Sequence, residues 1–421
     1  MSVWILCSAC GGGAQVGAES PTGGPGAGPG PAGSGALLTN SAGQQVAVQE
    51  LPGAAAGRPQ MNAAAASAHA AGLHAFQSGD LKGAEAQFSR AIAADSNAYA
   101  SHYSLGVVKE RTATASQALA SYQSSLKIVG DYYPALAGFA SLMARTDQSD
   151  SAESFLLSKK AKYPKSASVL AALAEIKSVQ GDSSAAQQLA QEALKYVPDF
   201  RPAMVILARD HYRNRRLDLA LYTLKAILDG YGPENPARDK SNASAMLLRG
   251  LIYKEQGFRK PAMDELKRAL ALRPDLVEAR LNLSTFMLEA GNASEAVPLL
   301  EGALKYDNSN VLVHLNLGDG YRLLGKIADA RRQLEWVSAK DQNVAQAHYN
   351  LGLLYMFSKV EGMDEKQSLT AAVEAFERFK GLSHRVGPGA GDDVDALIKK
   401  AKQKLSIIEA LSADGGDDGF D

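Results

Sequence analysis

An alanine stands at position 84, and steps of 34 residues land on Ala118, Ala152, Ala186 and Ala220. After one phase slip the ladder resumes at Ala262, Ala296 and Ala330. Small residues keep the same register twelve positions earlier, at Gly72, Gly106, Ala140, Ala174, Ala208, Gly250, Ser284, Gly318 and Gly352. Self-similarity at this period belongs to helical solenoids, in which a unit buries its apolar face only by stacking on its neighbours. The expected fold is therefore all-α: a right-handed α-solenoid of about nine helix-turn-helix units, with a C-terminal capping helix and a disordered N-terminal tether. In such a chain, function sits on surfaces.

One unit runs from Ser244 to Tyr253 and continues through Gly257, Ala262, Leu266, Ala269 and Pro274. The spacing has steric causes. Gly250 and Ala262 mark the closest approach of two antiparallel helices, where a larger side chain would push them apart. The groove so formed is filled from four residues after each alanine, by Phe88, Tyr122, Leu156, Ala190, Leu224, Leu266, Leu300 and Leu334. Gly79, Gly181, Gly257, Gly291 and Gly325 end first helices, and Pro164, Pro198 and Pro274 end second ones. This unit resembles the tetratricopeptide repeat, a helix-turn-helix with Leu, Gly, Tyr, Ala, aromatic and Pro residues at these offsets.

Residues 63–232 hold units one to five, and residues 243–381 hold units six to nine. The slip falls in the turn-rich stretch from Asp229 to Pro236, so residues 233–242 are expected as an insert and a hinge. The ninth unit carries its own insert between Val360 and Gln367, which displaces its second helix. Residues 392–411 read as an amphipathic cap, with Leu397, Ile398, Ala401, Leu405 and Ile408 on one stripe. Residues 412–421 form an acidic tail.

Lys and Arg number 44 against 45 Asp and Glu, so no basic field favours nucleic acid. No apolar run approaches the ~20 residues of a membrane-spanning helix. Both cysteines, Cys7 and Cys10, precede the repeats, leaving packing alone to hold the array. Residues 1–10 place an apolar stretch and two small residues before Cys10, with glycines after it. That order resembles a bacterial lipobox, although Cys7 stands where leucine is usual. The resemblance implies acylation of Cys10, with the lipid as the only membrane contact. Residues 11–62 are rich in Gly, Pro, Ala and Ser, a composition that cannot bury a core and acts as a flexible tether.

The repeat resemblance implies a groove lined by first helices. Asn282, Asn316 and Asn350 recur there at the array spacing, each able to grip the backbone of an extended peptide by donating to a C=O and accepting from an N–H. The apolar column Leu247, Leu281, Leu315 and Tyr349 runs beside them, with Arg322 and Lys254 at the margin. An amide at that place is equally able to cap locally. Upstream units carry Ala70, Ser104, Gly138, Ala172 and Ile206 instead, which assigns any clamp to the downstream block.

No phosphate-binding glycine motif or nucleophile motif occurs, and the seven histidines are scattered, mostly on expected repeat surfaces. The expectation is a protein without catalytic residues, cofactor, metal, nucleic acid or small-molecule substrate. The layout resembles the tetratricopeptide lipoproteins of bacterial envelope machines, among them those of myxobacterial gliding motility. It implies an outer-membrane lipoprotein facing the periplasm, scaffolding envelope proteins by holding an extended segment. The same layout fits a pilotin-like lipoprotein for a pilus or secretion pore. A soluble cytoplasmic adaptor or co-chaperone fits if the N-terminal resemblance is accidental.

Overall fold

The computed structural model describes residues 37–39, 45–47, 57–382 and 393–414. Cys10, most of the expected tether and the tail beyond 414 lie outside these residues. Within the tether stretch, β1 (Leu37–Thr39) pairs antiparallel with β2 (Gln45–Ala47), a ladder that composition did not announce.

The array follows as antiparallel helical hairpins. The first three are α1 (Ala63–Ser78) with α2 (Leu81–Ala94), α3 (Tyr99–Thr112) with α4 (Ala115–Ile128), and α5 (Tyr133–Arg145) with α6 (Ser149–Lys162). Then come α7 (Ala167–Val179) with α8 (Ser183–Tyr196), α9 (Arg201–Arg213) with α10 (Leu217–Leu228), and α11 (Ala243–Glu255) with α12 (Arg259–Leu272). The last three are α13 (Val277–Glu289) with α14 (Ala293–Leu304), α15 (Val311–Leu323) with α16 (Ile327–Lys340), and α17 (Ala345–Phe357) with α18 (Glu365–Leu382). A final helix, α19 (Val394–Asp414), packs on α18 through Val394 and Ala401. No described helix is long and apolar enough to cross a membrane.

Local chemistry sets these boundaries. Side chains of Asn62, Asp80, Ser166, Asp182, Asn242 and Asn310 accept from first-turn backbone N–H groups, which have no partner inside a helix. Thr114 and Gln117 complete a capping box. The loop glycines Gly79, Gly181, Gly257, Gly291 and Gly325 all take positive φ, between 70° and 84°.

Packing follows the ladder. Ala84, Ala118, Ala152, Ala220, Ala262, Ala296 and Ala330 are all fully buried, and so are Leu156, Leu224, Leu266, Leu300 and Leu334. The small–large pairing is a direct contact. A Cβ on Gly72 would stand 2.6 Å from the Phe88 ring, and one on Gly318 2.5 Å from Leu334. In the ninth unit a Cβ on Gly352 would meet Phe376 at 2.5 Å, so the displaced helix restores the same fit.

Two compact units result. The upstream unit comprises Gly35–Leu283 with Lys305–Asn308, and the described downstream unit comprises Ser284–Leu304 with residues from Ser309 onward. The division falls inside α13. The insert is packed down: β3 (Gly230–Gly232) pairs with β4 (Asn235–Pro236), and Asp239 N–H donates to the Ile227 carbonyl at 2.8 Å. The helices on either side of it share one apolar cluster, joining Leu224 and Ile227 to Ala245, Leu248 and Ile252.

Candidate functional site

Each unit presents a face made by its own first helices, and the two faces are occupied differently. In the upstream unit it carries charge that is already paired. Glu175 of α7 accepts from Arg213 of α9 at 2.9 Å and lies 3.0 Å from the Arg209 guanidinium. Burial alone would raise Glu175, but the two guanidiniums hold its carboxyl below the usual range. Glu278 is exposed at the rim of the same face, yet desolvation pushes its carboxyl up, with Arg209 and Lys254 opposing.

Of the expected clamp, Asn282 belongs to this unit, and its amide is engaged within the chain. Lys254 Nζ donates to its Oδ1 at 2.6 Å, and its Nδ2 donates to the Glu278 carbonyl at 2.8 Å. Leu247 packs against the apolar cluster beneath it, and Leu281 is half-buried.

The downstream unit holds the other expected residues. Asn316 Nδ2 donates to Thr285 Oγ1 at 3.1 Å. Asn350 is half-buried and makes no hydrogen bond among the described residues. Leu315 is 8% exposed and packs between α15, α16 and α17, so it belongs to the core and not to an open column. Tyr349 leans on Phe376 and Phe379, and its hydroxyl donates to the Asp393 carboxylate at 3.0 Å. Arg322 folds back onto Asp319 at 2.6 Å. Of the expected column, Leu315 is buried, while Leu247, Leu281 and Tyr349 are half-buried.

Sequence reasoning missed the exposed apolar residues that flank the asparagines on the same stripe. Leu312, Asn316, Asp319 and Leu323 follow an i, i+4, i+7, i+11 spacing on α15, and Asn350, Leu353 and Phe357 repeat it on α17. Leu312 is 55% exposed, Leu323 37% and Phe357 49%. Lys400 of the cap lies 5.7 Å from the Phe357 ring centroid. Large apolar side chains at both ends of a polar stripe were the available signal.

The histidines correct a second expectation. His69, His314 and His348 are buried in the packing, not displayed on variable surfaces. His314 stacks on Trp336 at 3.7 Å, and His348 Nε2 lies 2.9 Å from the Gln342 carbonyl. His314 and His348 both stand at the fourth position of their helices, where the imidazole fills space against the neighbouring packing.

Residues 69–132 and 171–236 match one tetratricopeptide repeat model, and residues 287–352 match another. Among solved structures, the chain is similar to the crystal structure of the APC/C hetero-tetramer Cut9-Hcn1. The TM-score is 0.51 at 14% identity, covering 80% of this chain and 76% of that one, a likeness of fold alone. It also matches the crystal structure of PilW, a widely conserved type IV pilus biogenesis factor, with TM-score 0.38, 20% identity and 49% and 90% coverage. The match to the crystal structure of MamA protein has TM-score 0.33, 18% identity and 43% and 94% coverage.

Proposed function

The chain carries tetratricopeptide repeats, a non-enzymatic protein-interaction fold, and from that premise we propose that it scaffolds partners through the downstream unit. The partner is a protein segment laid across α15 and α17. The observation that carries this is the exposed set Leu312, Leu323 and Phe357 beside Asn316 and Asn350. Apolar side chains of a bound strand would cover the former, while the Asn350 amide would meet a peptide group.

We further propose that the scaffold is lipid-anchored through Cys10 at the bacterial outer membrane, facing the periplasm. There it would join a trans-envelope complex, with gliding motility the favoured machine. Support comes from the sequence: small residues before Cys10, glycines after it, and a stretch rich in Gly, Pro, Ala and Ser from there to the first hairpin.

Crosslinked pulldown from envelope fractions tests the binding surface, comparing wild type with Leu323→Asp/Phe357→Asp. Two exposed positions tolerate charge, so the variant should fold and lose the captured proteins. Identical capture refutes the surface. Metabolic labelling with a clickable fatty acid tests the anchor: label on wild type and none on Cys10→Ser is expected, and an unlabelled wild-type chain ends the lipoprotein reading.

A further inference from the structure

The upstream unit contains contacts that periodic stacking does not require. Arg111, at the end of α3, points its Nη2 at Asp275 Oδ2, 3.5 Å away and 164 residues later in the chain. Asp275 is itself held by Arg273 through Nε at 2.7 Å and Nη2 at 2.6 Å. The Arg111 guanidinium also lies 5.1 Å over the Phe76 ring, and Phe76 meets Tyr306 with centroids 5.8 Å apart. Tyr306 donates its hydroxyl to the Gln77 carbonyl at 2.7 Å, a span of 229 residues. The first two hairpins therefore touch the chain that follows α12.

This seam differs in proportion from the junctions between successive hairpins. Those are built on extensive apolar clusters, such as the one joining Tyr122, Leu136, Phe139 and Leu156, with ion pairs such as Arg213–Glu175 added beside them. The seam consists of an ion pair, a hydrogen bond and ring contacts between side chains. Stability in a repeat array is a sum over interfaces, and the least apolar one opens at the smallest free-energy cost. The first-helix face lies beside the seam: Tyr103 is half-buried there, within electrostatic reach of Arg273 and Asp275.

We propose that this seam is a latch: Arg111–Asp275 and Tyr306–Gln77 hold the hairpins from α1 to α12 as a closed turn, and their release opens the first-helix face bearing Tyr103, Glu175 and Arg209 further to a partner. The inference concerns the upstream unit and is independent of the downstream binding surface.

The test uses the full chain with Cys7→Ser and Cys10→Ser, spin-labelled at Lys82→Cys on α2 and Lys267→Cys on α12, and read by pulsed dipolar spectroscopy. The parent should show one distance. Arg111→Gln leaves Asp275 paired with Arg273, and Tyr306→Phe keeps the ring, so both should fold. Together they remove one ion pair and one hydrogen bond, each worth severalfold, so a longer-distance population should rise about tenfold. Molar sodium chloride should move the parent in the same direction, an arm needing no further substitution. An unchanged single distance in both the variant and high salt overturns the latch. A parent already showing the longer distance overturns the closed turn.

Discussion

His69 sets a stability dependence on pH that the structure makes quantitative. The side chain is 4% exposed, its Nδ1 lies 2.9 Å from Ser101 Oγ, and its ring meets Phe88 at 5.3 Å. Desolvation lowers its pKa from 6.5 to about 4. Above pH 6.5 neither the folded nor the unfolded imidazole carries a proton, and the full stability is present. Between 6.5 and 4 the unfolded chain binds a proton that the folded chain refuses, so stability falls by about 1.4 kcal/mol per pH unit. Below about 4 both states are charged and the loss levels off at roughly 3 kcal/mol. The loss acts on the first hairpins, because array units open semi-independently. Proton NMR titration of the folded protein should place the His69 midpoint near 4. Urea unfolding of α1–α4 should weaken from pH 7 to pH 5, and less so in His69→Gln. A native midpoint near 6.5 refutes the argument, since it means the imidazole is not desolvated.

Two further outcomes follow from packing and charge. Gly318→Ala should lower stability by about 1–2 kcal/mol, because its Cβ would stand 2.5 Å from Leu334, whereas Gly381→Ala meets nothing within 4 Å and should raise it by a few tenths; paired urea titrations decide. Arg249→Met should cost about 1–2 kcal/mol in the same assay: Arg249 donates to Asp229 at 2.5 Å and Glu265 at 2.8 Å, but buried Glu265 keeps Arg268 at 2.8 Å and Asp229 is exposed to water.

The hairpins were legible because their contacts are local. Gly318 needs Leu334 sixteen positions later, and Gly72 needs Phe88 at the same interval, so a steric rule between neighbouring helices is written directly into the spacing. Loop glycines were legible for the same reason, since each positive φ is a property of one residue. The candidate site was read less well. Asn282, Asn316 and Asn350 occupy equivalent positions, yet Lys254 takes one, Thr285 another, and the third is left open. Leu315 and Leu312 are both apolar and three residues apart, and only the packed structure separates the buried one from the exposed one.

Sequence alone determined the period, the hairpin and the inward faces, because each depends on residues within one repeat of each other. The tertiary structure decided where the compact units divide, which first-helix side chains are consumed, and that Arg111 meets Asp275. Those outcomes depend on small angles between successive hairpins summed over the array, and no single repeat encodes that sum.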